Sequence, residues 1–403
     1  MKEFSVERRD GKVFIRGRAP QNSLVEVELL TLPFSTYGFP RHVSDVKEKT
    51  ERANRIPMLF HTLSKALIFF LKTLLILLPP VLVFIYLKFG KEKEFTVPEF
   101  LSFIPNPERK PYEVNLLFTG DAAQGDENGF YATVLDLMRR GFISVKPAGD
   151  DLLIEVLKEP EDPHERKVTD FFKRHSVNGV FSLKALKNRV EWAKNERNVA
   201  YLKSLEAELN SLLKYENEEL VNRHLNLKGV KIADTFGKFS FFLFIVISFS
   251  LLFFLRFFST FNGYSVFVLS LTLFIASLIA AASPAQIFGR WKKNYYMEKL
   301  QWEAFRKFLS DLALIKRYAP EDVVIWKEWL VYGTALGVAE KVEKALKKFA
   351  KVEIPEVRTL NAVRGSFSSF SSTLSSSISQ ASPSGSSGFG SGGGFGGGGA
   401  GGR

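Results

Sequence analysis

Three long apolar segments constrain this chain of 403 residues more than any other feature of its sequence. They cover residues 66–89, 239–258 and 264–282, and apart from Arg256 the second and third carry no charge. A helix needs about 20 apolar residues to cross the hydrocarbon core of a bilayer, because that core is about 30 Å thick. A helix of a soluble protein rarely lacks a polar face over such a length. The pattern therefore predicts a multi-pass membrane protein with three transmembrane helices.

The first of these segments is less regular than the other two. Lys72 interrupts it near one end, where its long stem could carry the ammonium group to the lipid head groups. Pro79 and Pro80 interrupt it again and predict a kink in a transmembrane helix. Two alternatives stay open at this stage, a buried helix of a soluble domain and a re-entrant hairpin bent at the prolines.

Basic residues predict the orientation of the chain in a cell membrane. Three lysines lie within residues 228–238 before the second segment, and three basic residues lie within 290–293 after the third. The short loop between these two segments has only Arg256. Because basic residues concentrate on the cytoplasmic side, the main domain and the C-terminus are expected in the cytoplasm and the N-terminus outside.

Residues 1–60 are expected to form an extracytoplasmic β-rich fragment. Apolar and polar residues alternate in FSVE, KVFIRG and LVEVELL, and RDGK supplies a turn between the first two. This alternation predicts antiparallel strands with one wet face, but three strands are too few for a stable domain. Because no apolar signal-peptide core precedes them, we expect that Met1 is not the natural start and that a larger β-domain has lost its beginning.

Residues 90–238 predict a cytoplasmic α+β domain that is winged-helix-like. The stretch DENGFYATVLDLMRRG has apolar residues at helical spacing, with Asp126 or Asn128 as the N-terminal cap and Gly141 as the end. FISVKP and LLIEVL follow as a β-hairpin around AGDD, and two short helices flank VNGVFS. A helix followed at once by a hairpin is the order found at the end of a winged-helix module.

The basic residues of this domain are candidate contacts with nucleic acid. A winged helix that binds DNA or RNA would place them against phosphates. The candidates are Arg139, Arg140, Lys146, Arg166, Lys167, Lys173 and Arg174. The alternative is a scaffold that binds proteins, and the mixture of acidic and basic residues at 158–165 favours it.

Residues 289–360 predict a helical cytoplasmic unit. One helix is expected to end before Pro320, and the next to break near Gly333 or Gly337. After the break one face is apolar and the rest of the surface carries lysines, among them Lys341, Lys344 and Lys348. Such a helix either lies on anionic lipid through these lysines or packs in a core with a solvated basic face.

Residues 361–403 are rich in Ser and Gly and are predicted to be a disordered tail. Such a composition cannot bury enough apolar surface to offset the entropy of ordering. The phenylalanines of this tail are either incidental to a flexible tether or weak contacts with a partner or another copy. They are Phe367, Phe370, Phe389 and Phe395.

The composition excludes several kinds of chemistry. The chain has no cysteine, which excludes disulfides, thiolate metal sites and cysteine nucleophiles. Its five histidines show no metal-ligand spacing, and it has no phosphate-loop or serine-hydrolase motif. We therefore predict no catalytic residue, no metal site and no cofactor.

Five features follow one another along the chain: ATVLDLMRRGFISVK, two adjacent apolar segments, WEAFRKFLSD, WKEWLVYGTALGV and a Ser/Gly/Phe tail. In this combination the sequence resembles the YciQ-like family of predicted membrane proteins, over roughly residues 60–403. Members of that family carry a signal peptide and a complete extracytoplasmic β-rich domain, most of which this sequence lacks. The family is known as a domain of unknown function, so the resemblance implies no activity and no catalytic residue.

The sequence thus predicts a mainly α membrane protein with some β structure, and it leaves two functions open. The first is a membrane-anchored scaffold or envelope-associated interaction protein, with membrane lipid and other proteins as partners. The second is a membrane-tethered regulator that binds nucleic acid through the winged-helix-like domain. The net charge of +12 is compatible with both, since basic residues attract nucleic acid and anionic membrane surfaces alike.

Overall fold

The computed structural model describes residues 4–17, 44–120, 125–254, 260–318, 322–349 and 355–382. The chain divides into two compact units. The membrane unit comprises residues 1–92 and 226–290, and the domain unit comprises residues 93–225 and 291–403. Each unit is therefore built from two separate stretches of the chain.

Most of the described residues are helical, as predicted. In chain order the helices are α1 (Val46–Ile85), α2 (Pro111–Phe118), α3 (Glu127–Arg139), α4 (Pro163–Arg174), α5 (Leu183–Asn195), α6 (Val199–Leu213), α7 (Glu218–His224), α8 (Lys228–Phe254), α9 (Thr260–Ala281), α10 (Ala285–Phe288), α11 (Tyr295–Ser310), α12 (Leu312–Arg317), α13 (Val323–Ala335), α14 (Ala339–Phe349) and α15 (Pro355–Ala381). A π-helical turn, Tyr86–Gly90, continues α1. The strands are β1 (Phe4–Arg9), β2 (Lys12–Gly17), β3 (Ile143–Ala148), β4 (Asp151–Val156), β5 (Ser176–Val177), β6 (Val180–Ser182), β7 (Leu225–Asn226) and β8 (Arg290–Trp291).

Strands β1 and β2 form the first antiparallel hairpin that the sequence predicts. Arg9 pairs with Lys12, so Asp10 and Gly11 make a two-residue turn, and both have positive φ (50° and 72°). A turn of this kind matches the right-handed twist of the strands that it joins. The predicted third strand, LVEVELL, lies outside the described residues.

Helix α1 corrects two expectations for the N-terminal third of the chain. It begins at Val46, so residues 46–60 are helical and not β-rich, because the helix extends well ahead of its apolar segment. It also continues through Pro79 and Pro80 to Ile85, so the alternative of a re-entrant hairpin bent at the prolines is wrong. Among the described residues, three helical stretches are long and apolar enough to cross a membrane: Val46–Gly90, Lys228–Phe253 and Asn262–Ala281.

Helices α1, α8 and α9 share one apolar core in the membrane unit. Its buried residues are Leu71, Leu78, Ile247, Leu251, Val266 and Leu273. Small residues let α8 and α9 approach closely: a Cβ on Gly237 would lie 2.9 Å from the Cβ of Ala281. The hydroxyls of Ser240 and Ser277 are hydrogen-bonded across the same interface. Both features are typical of interfaces between membrane helices.

The domain unit contains the predicted helix followed by a β-hairpin. Asp126 caps α3 by accepting a hydrogen bond from the backbone N–H of Asn128 (2.9 Å). Gly141 ends the helix with a φ of 72°, which glycine adopts at little cost. Strands β3 and β4 follow as an antiparallel pair, and VNGV forms a second hairpin, β5–β6. The four strands make one antiparallel sheet in the order β3-β4-β6-β5.

The two stretches of the domain unit, which the sequence presents as separate domains, pack into one unit. The side-chain N–H of Asn115 donates to the carbonyl of Ala335 (2.9 Å), and the hydroxyl of Tyr332 donates to the carbonyl of Arg109 (2.8 Å). The leucine stripe of α6 is buried in this unit, as core packing requires: Leu202, Leu205, Leu209, Leu212 and Leu213. The predicted helix break falls at Gly337, where φ is 72°.

The prediction of a disordered tail is wrong for residues 361–381, which belong to helix α15. In α15 apolar residues recur every three or four positions from Leu360 to Leu374, and they are buried on one face together with Ala381: Leu360, Val363, Phe367, Phe370 and Leu374. Serines fill most of the other positions, so the low-complexity composition conceals a helical period. The ring centroid of the fully buried Phe367 lies 5.1 Å from that of Phe130, and Phe370 is fully buried too. Neither ring is therefore an exposed contact for a partner, and the other two phenylalanines of the tail lie outside the described residues.

Candidate functional site

Arg139 and Arg140, the first two candidate phosphate contacts, are bound to carboxylates. Arg139 donates to Asp136 (2.8 Å) and Glu328 (3.0 Å), while Arg140 donates to Asp136 (2.7 Å) and Glu165 (2.5 Å). Burial acts to lower the pKa of Arg140, but the carboxylates of Asp136 and Glu165 raise it above its ordinary value. A phosphate would have to displace a carboxylate to bind either guanidinium group.

The remaining candidates on this domain lie on β3 and α4. Four of them have an acceptor nearby in the chain's own fold: Arg166 (Pro160 carbonyl), Lys167 (Ser211 carbonyl), Lys173 (Glu159) and Arg174 (Glu208). Lys146 differs, because it is exposed on β3 beside the turn of the hairpin. Two of these five basic residues, Lys173 and Arg174, are therefore paired with carboxylates, as Arg139 and Arg140 are.

The lysines predicted to contact anionic lipid are exposed on α14. They are Lys341, Lys344 and Lys348. The apolar face of the same helix packs inside the domain unit, where Val342 and Ala345 are fully buried. The helix is thus one that packs in a core and presents a solvated basic face.

A histidine packed between two tyrosines is a polar feature of the domain unit that was not predicted from the sequence. The ring centroid of His164 lies 4.4 Å from that of Tyr112 and 4.3 Å from that of Tyr215. Tyr112 lies on α2, His164 lies in the first turn of α4, and Tyr215 follows the end of α6. Three separate helices therefore position the three rings.

Asp162 stabilises this arrangement by accepting hydrogen bonds from both α4 and Tyr112. Its carboxylate caps α4 by accepting hydrogen bonds from the backbone N–H groups of His164 (3.0 Å) and Glu165 (2.9 Å). It also accepts a hydrogen bond from the hydroxyl of Tyr112 (2.7 Å). Burial, together with this hydrogen bond, raises the pKa of Tyr112 well above its usual range, so the hydroxyl stays protonated and donates.

The imidazole of His164 is neutral at pH 7, and one of its nitrogens lacks a partner. The residue is 7% exposed, and burial lowers its pKa to about 4, because loss of water disfavours the imidazolium ion. The Nε2 atom is buried and has no hydrogen-bond partner within the described part of the chain. An unsatisfied buried polar group costs about 1–3 kcal/mol. The site would therefore gain stability from any molecule that supplies this hydrogen bond.

His164 lines a cleft of about 500 Å³, hereafter the His164 cleft. Its other polar lining residues are Lys167, Asn210, Ser211, Lys214, Tyr215 and Glu216. Two ammonium groups and one carboxylate thus line the same cleft as the imidazole. Such a set can bind a polar group that offers acceptors to the lysines and one hydrogen bond to the imidazole.

Lys214 also lines a second cleft, of about 610 Å³. Arg364 lines it as well, together with Asp126 and Tyr131. Asp126 is already engaged as the cap of α3, and Tyr131 donates to Glu127 (2.8 Å). Among the described residues, none that lines this second cleft has a buried polar atom without a partner, whereas His164 has one, so the His164 cleft is the better candidate for a binding site.

The described residues contain no group of three or more His, Asp or Glu side chains that could hold a metal ion. The sequence does carry a partial signal for the His164 cleft, since Asp162 followed by Pro163 marks the start of a helix. Tyr112 and Tyr215 lie far from that signal in the chain. Only the tertiary fold brings them to the histidine.

Residues 97–346 match one family model, described as "Predicted membrane protein (DUF2207) C-terminal domain". The match covers more than half of the chain and includes both α8 and α9. The resemblance to a family of predicted membrane proteins is thereby confirmed. No curated protein and no solved structure gives a significant match to the chain.

Proposed function

The chain belongs to this family of predicted membrane proteins, and from that premise we propose that it is a membrane-anchored interaction protein. Helices α1, α8 and α9 would hold it in the bilayer, and the domain unit would dock a protein partner in the His164 cleft. One observation carries this proposal. The buried Nε2 of His164 has no hydrogen-bond partner among the described residues, and the same side chain lines an open polar cleft.

The chemistry of the cleft favours an acidic segment of the partner. Lys167 and Lys214 attract carboxylates, and neither lysine is paired with a carboxylate in the described structure. The neutral imidazole can donate from Nε2 to a carboxylate or carbonyl oxygen of the same segment once the partner displaces the side chains that bury this atom. Glu216 at the rim would repel a partner that carries acidic groups too densely, which adds selectivity.

Photo-cross-linking from within the cleft tests the proposal in the full-length protein in membranes. Benzoylphenylalanine replaces Asn210, which lines the cleft, or Ser204, which is exposed on the same helix outside it. We expect an adduct from position 210 that mass spectrometry maps to an acidic segment of one protein, and no such adduct from position 204.

Charge reversal provides the matched control. Lys214→Glu should abolish the adduct, whereas Lys203→Glu makes the same charge change on α6 at an exposed position outside the cleft and should leave it intact. An adduct that forms equally from both positions, or that survives Lys214→Glu, would contradict docking in this cleft.

The orientation that fits this function places the domain unit in the cytoplasm. Both stretches of the domain unit share one side of the membrane in this arrangement, since α8 and α9 together cross and return. Lys228, Lys231 and Lys238 in the first part of α8 and Arg290 after α9 support the cytoplasmic side through the positive-inside preference.

Contact of the domain unit with anionic lipid is a further part of the proposal. It would use Lys341, Lys344 and Lys348, which are exposed on α14. Because the apolar face of α14 is buried in the domain unit, such contact would be electrostatic and would not insert the helix into the bilayer. It should therefore weaken steeply as the salt concentration rises.

A second candidate function, a membrane-tethered regulator that binds nucleic acid, has one specific observation in its favour. Lys146 is exposed beside the turn of the β3–β4 hairpin, where a winged-helix-like domain would meet a nucleic acid, and the chain has a net charge of +12. The carboxylate partners of Arg139 and Arg140 weigh against it. Binding of duplex DNA by the full-length protein in detergent, with a steep loss of affinity as salt rises and on Lys146→Glu, would favour this function over docking of a protein. No binding at low salt would remove it.

A further inference from the structure

An apolar groove of about 180 Å³ lies between α1 and α8 in the membrane unit. Every residue that lines it is apolar. Leu78 and Ile85 of α1 form one wall, and Phe236 of α8 faces them. The floor consists of Ala233 and Ala280, which are 2% and 6% exposed.

Small side chains on α8 and α9 create this space. Alanines at 233 and 280 leave room that the long side chains of α1 do not fill. Close to the groove, Gly229 brings α8 against its neighbours: a Cβ there would lie 2.1 Å from the carbonyl oxygen of Phe288 and 3.1 Å from the Cγ2 of Ile85. The helices are thus closely packed at Gly229, and the groove lies next to this contact.

The groove opens sideways onto the outer surface of the helices. Leu77, Val81 and Ile232 line it and remain 51%, 48% and 44% exposed. In a helix bundle of this hydropathy that surface faces lipid. An acyl chain can therefore enter the groove from the bilayer without crossing a polar layer.

One end of the groove lies beside a cluster of positive charge. Lys88 lies in the π-helical turn that follows Ile85, and Lys228 lies one turn before Ile232 on the same face of α8. The nearby residues 86–92, 226–238 and 283–290 hold more basic than acidic groups. The basic ones are Lys88, Lys91, Lys228, Lys231, Lys238 and Arg290; the acidic ones are Glu92 and Asp234. Asp234 is already paired with Lys238 (2.7 Å).

We propose that this groove is a binding site for a phospholipid with an anionic head group, with one acyl chain between α1 and α8 and the head group at Lys88 and Lys228. The lining offers no hydrogen bond, which excludes a sugar or nucleotide inside the groove. The adjacent lysines require a negatively charged group at its end. An anionic phospholipid combines an apolar chain with a negative head group.

The test measures the lipid that the purified full-length protein retains from nanodiscs made of equal amounts of phosphatidylglycerol and phosphatidylcholine. Native mass spectrometry counts the bound phospholipids and identifies their head groups. The wild-type protein should retain one phosphatidylglycerol. Leu77→Trp should lose it, because the larger ring fills the mouth of the groove.

Ile76→Trp is the matched control for the groove. Ile76 is the neighbour of Leu77 on α1, is 73% exposed and does not line the groove, so both variants place the same ring on the outer surface. Retention should survive Ile76→Trp. Equal retention by the two variants would overturn the proposal. A change in oligomeric mass on Leu77→Trp with retained lipid unchanged would also overturn it, because the occupant would then be a second copy of the chain.

The lysines are tested separately from the groove. Lys88→Gln with Lys228→Gln should preserve the bound phospholipid but reduce the preference for phosphatidylglycerol by about fivefold for each lysine removed. Lys12→Gln with Lys47→Gln removes the same charge from exposed positions elsewhere in the chain and should leave the preference unchanged. An unchanged preference after loss of Lys88 and Lys228 would show that they do not hold the head group.

Discussion

Arg109 donates two hydrogen bonds to the carboxylate of Glu298, from Nε to Oε1 (2.9 Å) and from Nη2 to Oε2 (3.0 Å), although 189 residues separate them in the sequence. Helices α8 and α9 lie within that interval. The Nε2 atom of His224 lies 2.8 Å from the same guanidinium group, and Asn106 donates to Glu298 (3.3 Å). This cluster ties together the two stretches of the chain that form the domain unit.

Glu298→Ala should destabilise the domain unit strongly. It leaves the largely buried guanidinium of Arg109 without its carboxylate, which costs on the order of 3 kcal/mol. The thermal unfolding midpoint of the full-length protein in detergent measures the effect. Lys307→Ala, which breaks the exposed pair with Glu99, is the control and should shift the midpoint little, because solvent screens an exposed ion pair. Similar shifts in the two variants would mean that the cluster is not a structural tie.

The domain unit should lose stability as the pH falls from about 6.5 towards 4. Burial lowers the pKa of folded His164 to about 4, whereas an unfolded histidine has a pKa near 6.5. Between these values the unfolded chain binds a proton that the folded chain does not, so protonation favours unfolding. The full contribution is present above pH 6.5, and the loss is about 1.4 kcal/mol per pH unit within the window.

His164→Phe isolates this titration. Phenylalanine keeps an aromatic ring between Tyr112 and Tyr215 but cannot bind a proton. The difference in unfolding midpoint between pH 7.5 and pH 5 should therefore be smaller in the variant than in the wild type. Burial also lowers the pKa of His224, so some pH dependence should persist in both proteins. Equal pH dependence in both would show that His164 is not the group responsible.

Phe367→Ala should destabilise the domain unit by about 3–5 kcal/mol, because it removes a fully buried aromatic side chain and leaves a cavity. Its ring packs against Phe130, Phe172 and Phe181, with centroids 5.1, 6.4 and 6.4 Å away. Ser369→Ala, at an exposed position on the same helix, should have almost no effect. Unfolding midpoints and limited proteolysis would compare the two. Equal stability would contradict the place of α15 in the core.

Two glycine substitutions should change the stability of the protein in opposite directions. Gly365 lies within α15, and an added Cβ meets nothing within 4 Å, so Gly365→Ala should stabilise the protein by about 0.5–1 kcal/mol. Gly229→Ala should destabilise it, since the new Cβ would lie 2.1 Å from a backbone oxygen. Thermal unfolding of the two variants checks both signs, and a shift of the same sign in both would contradict the packing at Gly229.

The proposed orientation can be measured directly because the chain has no cysteine. Single Ser5→Cys and Ser204→Cys variants place a thiol on the N-terminal hairpin and on α6, both at exposed positions. A membrane-impermeant maleimide applied to intact cells should label the first variant, and the second only after lysis. The reverse pattern would place the domain unit outside the cytoplasm.

Local signals in the sequence predicted much of the fold. Hydropathy located the three candidate spans, and Gly141 and the AGDD turn delimited α3 and the hairpin that follows it. In each case the physical cause lies within a few residues of its effect: a long apolar run, a cap or a positive φ.

The candidate site and the C-terminal helix were not predicted from the sequence, for two different physical reasons. The His164 cleft depends on Tyr112, His164 and Tyr215, whose contact arises only when α2, α4 and the end of α6 pack together. In α15 a three- and four-residue apolar period was present in the sequence, but serines and glycines dominate the composition around it. Composition describes the average of a segment, whereas burial depends on which face each residue occupies.

Because the domain unit consists of two stretches on either side of α8 and α9, its folding should depend on how these two helices are inserted in the membrane. During synthesis, Arg109 leaves the ribosome long before Glu298, and the ring of Phe367 that covers Phe130 comes later still. If α8 and α9 cross the membrane and return, as proposed, the first stretch must wait with part of its apolar surface uncovered until both helices have been inserted. If only one of the two helices crossed the membrane, the two stretches would lie on opposite sides of it. Each stretch would then expose aromatic rings that chaperones and proteases recognise. In the proposed topology, folding of the domain unit therefore depends on correct insertion of both α8 and α9.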